Sequence, residues 1–218
     1  GSMLGYGAWR HSQNIDAAPA AVVAAAPHAL AVYRTPVGGQ QIVTLQDGSK
    51  VTLSTDTEVR LTDWNERRGL TLVRGEAYFE VAKNPQKPFV VTAAGRTVTA
   101  LGTAFDVRVD PGRWSVSLVE GKVRVAAAHT SVETTPGHHL VQTGAAPWTV
   151  EKRNLAELTS WRDGSLVFEN RPLASIVEEM NRYSPRKVRI ADANLAATPL
   201  SGRFKTGDMA GFVATLEA

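Results

Sequence analysis

The 218-residue chain carries 24 Lys and Arg against 21 Asp and Glu, a formal net charge of +3, and 43% of its residues are hydrophobic. This length and apolar fraction suffice for one or two domains with hydrophobic cores. The chain has no cysteine, which excludes disulfides, cysteine nucleophiles and thiolate metal sites. Its arginines are scattered rather than massed, so no basic stripe indicates a nucleic-acid-binding surface.

The first 33 residues are predicted to precede the folded part. Gly1-Ser2-Met3 is typical of an expression scar. Residues 4–10 form an apolar, aromatic run that is similar to the outer end of a membrane-spanning helix, although a span needs about 20 apolar residues. The alternative is a tail without regular structure. Residues 17–31 are rich in Ala and contain Pro19 and Pro27, which predicts a tether with at most a short helix.

Apolar and polar residues alternate between residues 34 and 153. Alternation places one face of a strand on a core and the other in water. The apolar positions are Val51 and Leu53, Val59 and Leu61, Leu70 and Leu72, Ala77, Phe79 and Val81, Val98 and Ala100, Phe105, Val107 and Val109, Val116 and Leu118, and Val123 and Val125. Turn residues separate these runs, among them Arg68-Gly69 and Gly75. The pattern predicts an all-β domain, either a sandwich, a barrel or a solenoid-like stack, and leaves the strand order open.

A second, smaller domain is predicted after this region. Trp148-Thr149-Val150 is predicted to be the last strand of the β domain, and residues 154–164 to form a linker helix capped by Asn154. Residues 165–218 then repeat one pattern at an interval of 36 residues. The repeated positions are Leu173, Ile176, Val177 and Met180 in the first copy, and Met209, Phe212, Val213 and Leu216 in the second. Each quartet has the i, i+3, i+4, i+7 spacing of one helix face.

Each of these helices follows a short segment that begins with Ser and ends with Phe, at residues 165–168 and 201–204. The first helix is predicted to begin with Asn170 or Arg171 before Pro172, and the second near Asp208. The β-prone triplet at residues 188–190 predicts a strand whose counterpart would fall beyond Ala218. We therefore expect a small α/β domain made of a strand-helix-strand repeat whose second copy is incomplete.

No motif indicates an enzyme, a cofactor site or a metal site. His138 and His139 are adjacent, and adjacent residues of a strand point to opposite faces, so they cannot chelate one ion together. One bond has chemical interest, because the unhindered Gly102 carbonyl followed by the Thr103 hydroxyl suits an N→O acyl shift and hydrolysis. The alternative is a tight bend that requires glycine. We predict no enzyme, and we leave a single self-cleavage at Gly102-Thr103 open.

A different class of function is glycan binding. All-β folds often carry glycan sites on exposed aromatic residues. The candidates are Trp64, Trp114 and Trp148, and the alternative is that these rings belong to the core or a hinge.

An ordered series of motifs runs through the chain. In the β region they are Gln46-Asp47-Gly48-Ser49, Leu72-Val73-Arg74-Gly75-Glu76-Ala77-Tyr78-Phe79, Lys87-Pro88-Phe89, Leu101-Gly102-Thr103 and Val119-Glu120-Gly121. This series resembles the FecR family of inner-membrane sigma-factor regulators. Trp161-Arg162, Pro172-Leu173 and Asn181-Arg182-Tyr183 resemble the STN domain, the short N-terminal domain of secretins and TonB-dependent receptors, with which the family ends.

The resemblance implies a role in cell-surface signalling. Such proteins have a cytoplasmic anti-sigma segment, one membrane span and a periplasmic sensor. The implied partner of the sensor is the periplasmic signalling domain of a TonB-dependent outer-membrane transducer, commonly one that imports iron-siderophore complexes. A sigma factor would bind only through the cytoplasmic segment, and the inner membrane would hold the protein through a span N-terminal to this chain. Some members cleave themselves at a Gly-Thr bond, and Gly102-Thr103 matches that bond.

The predicted partner-binding element is the strand that begins the second copy of the repeat. It contains Ser201, Arg203, Phe204 and Lys205. A strand exposed at the edge of a sheet can accept a strand from another chain.

Overall fold

The structure is a computed structural model that describes residues 31–217 and the backbone of residues 21–24. Its strands are β1 (Ala21–Ala24), β2 (Val32–Arg34), β3 (Gln41–Thr44), β4 (Lys50–Leu53), β5 (Glu58–Asp63), β6 (Arg68–Glu80), β7 (Phe89–Ala93), β8 (Arg96–Ala100), β9 (Ala104–Asp110), β10 (Arg113–Glu120), β11 (Val123–Ala127), β12 (Thr130–Thr134), β13 (His138–Thr143), β14 (Thr149–Lys152), β15 (Ser165–Pro172) and β16 (Pro199–Lys205). Its helices are α1 (Leu155–Thr159), α2 (Leu173–Arg182) and α3 (Met209–Leu216), with short 3-10 turns at Ser160–Asp163 and Ala193–Leu195. The predicted scar and the apolar run at residues 4–10 lie outside the described residues. None of the helices in the described part is long and apolar enough to cross a membrane.

The long strand β6 belongs to two sheets and joins them. Its first half pairs with β5 and, in parallel, with β7, and its second half pairs with β4 and β9. One sheet has the order β2-β5-β6-β7-β8-β11-β12, and the other has the order β1-β3-β4-β6-β9-β10-β13-β14. β6 bends at Gly75, which has a φ of +83°. A Cβ at this position would lie 2.6 Å from the Cα of Thr57, so only glycine fits.

The two sheets face each other across one core, which confirms the predicted all-β character of this part of the chain. Phe79 of β6 stacks on Phe105 of β9 with ring centroids 5.1 Å apart, and its edge packs on Phe89 of β7 at 6.0 Å. The alternating positions predicted from the sequence point into this core, and all but Val109 are buried. We call residues 31–153 the β unit.

Two predictions for this region are wrong. Gly75 lies inside β6 and ends no strand, because a glycine that permits a bend leaves the same signal as one that permits a turn. The turn predicted at Arg68-Gly69 does occur, but it lies at residues 64–67, directly before β6. Residues Ala21–Ala24, predicted to be part of a tether, form β1, which pairs in parallel with β3. The edge of β3 offers this segment hydrogen-bonding partners, and these lie about 20 residues away in the sequence, so the composition of the segment itself does not predict the pairing.

Residues 154–217 form a second assembly, which we call the α/β unit. The predicted helix caps are confirmed: Asn154 Oδ1 accepts from the Ala156 N–H at 2.9 Å, and Asp208 Oδ1 accepts from the Gly211 N–H at 2.9 Å. The predicted start of the first helix is wrong by one to two residues, since β15 continues to Pro172. Asn170 has a φ of +51° in a bulge of β15, and its N–H donates to Ser201 Oγ at 2.8 Å.

The strand predicted at residues 188–190 is absent from the described structure. The side chain of Asn181 instead takes both backbone groups of Val188, accepting from its N–H and donating to its carbonyl oxygen at 2.8 Å each. The β-prone side chains of Val188 and Ile190 are half-buried against the core of the α/β unit, which explains their apolar character without a strand. Within the described residues the unit therefore has two paired strands, β15 and β16, and two helices, α2 and α3.

The core of the α/β unit includes one residue of the β unit. Trp161, Phe168, Ile176 and Phe212 pack in one buried cluster with Tyr78 of β6. The predicted helix face Leu173, Ile176, Val177 and Met180 is fully buried in it, whereas Leu216 of the second predicted face is exposed. The α/β unit thus lies directly on the outer face of the sheet that contains β9 and β10.

Candidate functional site

The predicted partner-binding strand lies at an edge of the two-stranded sheet. β15 pairs with β16 on one side, and on its other side helix α1 and the 3-10 turn supply acceptors: Ser160 Oγ for the Val167 N–H at 3.1 Å and Glu157 Oε1 for the Glu169 N–H at 3.0 Å. No strand in the described part of the chain covers the outer side of β16. The sheet therefore has one covered edge and one open edge.

The hydrogen-bond pattern shows which residues of β16 face the open edge. In an antiparallel pair, residues that bond each other alternate with residues whose backbone groups point away. The Thr206 N–H donates to the Gly164 carbonyl oxygen at 3.0 Å, and the Val167 N–H points to Ser160, away from its neighbour Arg203. Arg203 therefore directs its backbone N–H and C=O groups outward, and Lys205 its N–H, while the Lys205 carbonyl oxygen accepts from the Asp208 N–H at 3.3 Å.

The side chains of the four predicted residues serve different purposes. Ser201, Arg203 and Lys205 are exposed, whereas Phe204 is half-buried and packs on Phe212 at 5.1 Å and on Phe168 at 6.2 Å. Phe204 thus holds the strand in place, and a partner would meet the other three side chains and the outward backbone groups. Partner binding by these residues stays a prediction.

The Gly102-Thr103 bond lies in a tight loop between β8 and β9. Gly102 has a φ of +153°, and a Cβ there would lie 2.8 Å from the Cα of Lys83. Thr103 is 7% exposed, and its hydroxyl has no hydrogen-bond partner among the described residues. A Cβ on Gly121 would lie 2.7 Å from the Thr103 methyl carbon, so Gly121 lets the chain close over this side chain. The bond thus joins a half-buried, bent Gly102 to a buried Thr103 whose hydroxyl is unengaged.

A charged interface between the two units is the main feature that the sequence did not predict. Arg182, at the end of α2, donates to Glu76 of β6 and to Glu179 at 2.7 Å each. Arg108 of β9 donates to Glu179 at 2.6 Å and to Asp110 at 2.5 Å. These five side chains are between 7% and 24% exposed. Along β6 and β9 they alternate with core residues as a solvated face would, and only the docking of α2 buries them.

The electrostatics of this interface fix the ionisation of its members. Burial raises the pKa of Glu179, but the charges and hydrogen bonds of Arg108 and Arg182 outweigh it and lower the pKa to about 2. Burial and the nearby Glu76 raise the pKa of Asp106 well above its usual range. The interface therefore contains two arginines with ionised carboxylates, together with one carboxyl group that favours its neutral form.

His139 also lies beneath the α/β unit. It is 4% exposed, and its Nδ1 is 2.9 Å from Ser117 Oγ. Burial, followed by the charges of Arg153 and Arg113, lowers the pKa of His139 to about 4.

We expect the free energy of unfolding to depend on His139 between pH 6.5 and pH 4. The unfolded chain binds a proton near pH 6.5 and the folded chain only near pH 4, so this contribution is complete above pH 6.5 and is lost as the pH falls through that window, by up to about 3 kcal/mol. Urea titrations at several pH values should therefore show a shallower decline for His139→Gln than for the unchanged chain. His138→Gln is the control, and equal slopes for all three proteins would contradict the expectation.

The histidines and tryptophans that the sequence offered as metal or glycan candidates make contacts within the fold. His138 binds Thr135 and His139 binds Ser117, and the described residues contain no group of three or more potential metal ligands. The three tryptophans proposed for glycan binding pack in or against the core: Trp114 is 2% exposed and lies 6.1 Å from Trp148, and Trp64 packs edge-on against Phe89 at 6.5 Å. These rings do not form an exposed aromatic platform.

A comparison with known protein families matches most of the β unit. Residues 31–124 match the family model described as FecR protein. The FecR match runs from the residue before β2 into β11, so it includes Gly102 and Thr103 but not β16. No curated protein matches the chain.

Two solved structures share this fold over most of the chain. Both are crystal structures of a candidate anti-sigma factor from Parabacteroides distasonis, at 1.65 and 2.50 Å resolution, with 22% sequence identity to this chain. Their TM-scores are 0.72 and 0.71, and the alignments cover 86% and 87% of this chain and 91% of each of those chains. The likeness therefore extends past the FecR-matching residues into the α/β unit.

Proposed function

We propose that this chain is the signal-receiving part of a FecR-type sigma-factor regulator and that it acts in the periplasm. In this proposal the α/β unit is an STN domain, and it binds the signalling domain of a TonB-dependent outer-membrane transducer that serves iron-siderophore uptake. The FecR match of residues 31–124 and the fold shared with a candidate anti-sigma factor support the regulatory role.

The open edge of β16 is the observation that carries the binding proposal. Arg203 directs its backbone N–H and C=O groups outward and Lys205 its N–H, and the sheet they belong to has only two strands in the described residues. An added strand from the transducer domain would satisfy these groups and enlarge the sheet. Phe204 keeps the strand fixed through Phe168 and Phe212, so the edge is formed before the partner arrives.

Calorimetric titration with the purified transducer signalling domain tests the proposal. We expect a dissociation constant in the micromolar range or below, and an affinity reduced at least about 10-fold by Arg203→Pro. Proline removes the outward N–H of residue 203 but leaves the bonds between β15 and β16 intact. Arg203→Ala keeps the N–H and is the matched control.

Two outcomes would overturn the proposal at different levels. Absence of heat and of any spectral shift would remove the transducer domain as the partner. Full affinity in Arg203→Pro would leave the partner standing but would move the binding site away from the open edge.

We propose in addition that Gly102-Thr103 undergoes one self-cleavage. The Thr103 hydroxyl attacks the Gly102 carbonyl, the amide C–N bond breaks as an ester forms, and the hydroxyl proton passes to the new Thr103 amine. Water then hydrolyses the ester, which leaves a carboxylate on Gly102 and restores the hydroxyl. The unpartnered, buried hydroxyl of Thr103 beside the bent Gly102 supports this reaction.

Intact-mass measurement after prolonged incubation tests the cleavage. We expect two fragments that meet between Gly102 and Thr103, no cleavage in Thr103→Ala, and cleavage retained in Thr103→Ser, which keeps the hydroxyl. A single intact mass for the unchanged chain would contradict the reaction.

A further inference from the structure

Three arginines on the outer face of one sheet converge on a single carboxylate. Arg34 of β2 donates from Nε to Glu58 Oε2 at 3.0 Å, Arg60 of β5 donates from Nε to Oε1 at 2.7 Å, and Arg74 of β6 donates from Nη1 to Oε2 at 2.7 Å. The register places Arg34 and Arg74 opposite Glu58 on the two strands that flank β5. Val59, between Glu58 and Arg60, points into the core, so the three arginines lie on the outer face. We call Arg34, Arg60 and Arg74 the arginine cluster.

The arginine cluster carries more positive charge than its own carboxylates neutralise. The three arginine side chains are 57%, 51% and 46% exposed, whereas the Glu58 side chain beneath them is 5% exposed. Hydrogen bonds from Arg34 and Arg60 lower the pKa of Glu58 to about 2, so it stays ionised and holds the guanidinium groups together. The second carboxylate is Asp56, 3.2 Å from Arg74, which leaves three cations against two anions. Exposed guanidinium groups fixed in this way are pre-organised to bind a further carboxylate.

The outer edge of β2 lies beside the arginine cluster and is open. The Thr35 N–H donates to the Thr57 carbonyl oxygen at 2.9 Å, and in an antiparallel pair such bonded residues alternate with residues whose backbone groups point away. Val32 and Arg34 therefore direct their N–H and C=O groups away from β5, and no other strand in the described part of the chain pairs with β2. Their side chains lie on the outer face, because Tyr33 between them packs against the core.

We propose that the edge of β2 and the arginine cluster together bind an extended segment of another protein that has acidic side chains at alternate positions. The segment adds to β2 as a further strand and bonds the outward backbone groups of Val32 and Arg34. Its side chains opposite these two residues then lie on the outer face, with Cβ atoms about 5 Å apart. A carboxylate opposite Arg34 meets that guanidinium, and one opposite Val32 lies toward Arg60, the partner of Val32 on β5. This surface belongs to the β unit, so it does not depend on β16, on a transducer or on self-cleavage.

The sequence contains no such acidic segment outside this surface. The 30 residues before the β unit include one acidic residue, Asp16. Two acidic residues separated by one position occur only as Asp56 and Glu58, which already belong to the surface. A second copy of the chain therefore lacks the pattern as well. An isolated anion or a lipid headgroup would engage the arginines but leave the strand edge unused, so an acidic strand of a different protein is the occupant that uses both features.

Fluorescence anisotropy of two labelled peptides, each titrated with the whole chain, tests the surface. The probe is Ser-Thr-Glu-Val-Glu-Val-Thr-Ser, and its matched control has Gln in place of both Glu residues. We expect a dissociation constant below about 1 mM for the acidic peptide and binding at least about 10-fold weaker for the neutral one. Raising the NaCl concentration from about 0.05 to about 0.5 M should weaken binding of the acidic peptide, because salt screens exposed charges.

Variants of the chain locate the binding. Arg34→Gln combined with Arg60→Gln should weaken binding of the acidic peptide at least about 10-fold. Val32→Pro, which removes one outward N–H, should bind it more weakly than Val32→Ala, which keeps that N–H. Arg124→Gln is the control for charge, since Arg124 is 63% exposed and pairs with Glu133 elsewhere on the same sheet, and it should bind like the unchanged chain.

The peptide comparison decides the proposal without any variant. No binding of the acidic peptide up to about 10 mM, or equal binding of the two peptides, would overturn it. Full affinity in the double variant would do the same, and a loss of affinity in Arg203→Pro would place the peptide at β16 instead. Vesicles that contain phosphatidylglycerol provide the last comparison: binding to them through Arg34 and Arg60, with no preference between the peptides, would assign the arginine cluster to a membrane surface.

Discussion

Replacing Arg182 with Met is expected to lower the free energy that keeps the α/β unit docked by about 3–5 kcal/mol. The Arg182 guanidinium donates to Glu76 and Glu179 at 2.7 Å each and approaches Asp110 at 3.8 Å. Its side chain is 14% exposed, so its removal leaves Glu76 buried without a counter-ion and leaves Glu179 and Asp110 with Arg108 alone. Burial lowers the pKa of Arg182, but Glu179 and Glu76 outweigh it and raise that pKa well above its usual value, as a strong pairing requires.

Hydrogen exchange distinguishes undocking from global unfolding. In Arg182→Met, amides of α2 and β15 should exchange much faster, while amides of β7 and β8, on the opposite sheet, keep their protection. Arg186→Gln, four residues further on and exposed, is the matched control and should change stability by less than about 0.5 kcal/mol. Unchanged exchange of α2 in Arg182→Met would show that the charged interface does not hold the units together.

Replacing Arg68 with Met is expected to destabilise the β unit itself by about 3–5 kcal/mol. The side chain is 1% exposed and donates to the carbonyl oxygens of Ala82 and Lys87 at 2.8 Å each and to Asp47 Oδ2 at 2.7 Å. Burial raises the pKa of Asp47, but hydrogen bonds from Ser49 and Arg68 outweigh it and lower that pKa below its usual value. Without Arg68, two carbonyl oxygens lose their charged donor, and the half-buried Asp47 carboxylate loses its counter-ion and keeps only the hydrogen bonds from Ser49.

Urea unfolding of three variants checks this expectation. Arg68→Met should show the full loss, and Arg68→Lys a smaller one, because an ammonium group cannot reach all of the acceptors of a guanidinium fork. Arg67→Gln is the control, since Arg67 is 59% exposed and pairs at the surface with Asp63 at 3.3 Å. A loss below about 1 kcal/mol in Arg68→Met would contradict the role given to this residue.

Arg68 also anchors the chain segment that is hydrogen-bonded to both sides of the Gly102-Thr103 bond. It fixes the segment from Ala82 to Lys87, and within this segment the Asn84 N–H donates to the Leu101 carbonyl oxygen at 2.9 Å. The Val81 N–H donates to the Thr103 carbonyl oxygen at 2.9 Å. The residues on both sides of the Gly102-Thr103 bond are therefore fixed by hydrogen bonds from the segment that Arg68 anchors or from its neighbour Val81.

Local periodicity explains which parts of the fold could be predicted. The alternation of Phe105 and Val107 and the helical spacing of Leu173, Ile176 and Met180 reflect which face of a single element is buried, and that information is carried by neighbouring residues. The caps Asn154 and Asp208 are local for the same reason.

The errors arise where the deciding contact is distant in sequence. Val188 and Ile190 are β-prone residues, but a strand needs a partner strand. The backbone N–H and carbonyl oxygen of Val188 instead bond the side chain of Asn181. Gly75 permits a bend within β6, and its local signal equals that of a turn. Glu76 and Arg108 have the pattern of a solvated face, and only the docked helix α2 makes them an interface.

The candidate binding edge was predictable in part. The exposed residues Ser201, Arg203 and Lys205 alternate with Phe204 in the sequence, which indicates a half-buried strand. Which of its backbone groups point outward depends on the register with β15 and on the acceptor Ser160, and neither can be read from the strand itself.

The central claim is that a transducer signalling domain adds a strand to the open edge of β16. Amide exchange of the isotope-labelled chain, measured residue by residue with and without the signalling domain, tests it most directly. We predict that the N–H groups of Arg203 and Lys205 become strongly protected in the complex, while those of Phe204 and Gly202, already bonded to β15, change little. New protection confined to other residues, with Arg203 and Lys205 exchanging as fast as in the free chain, would contradict the claim.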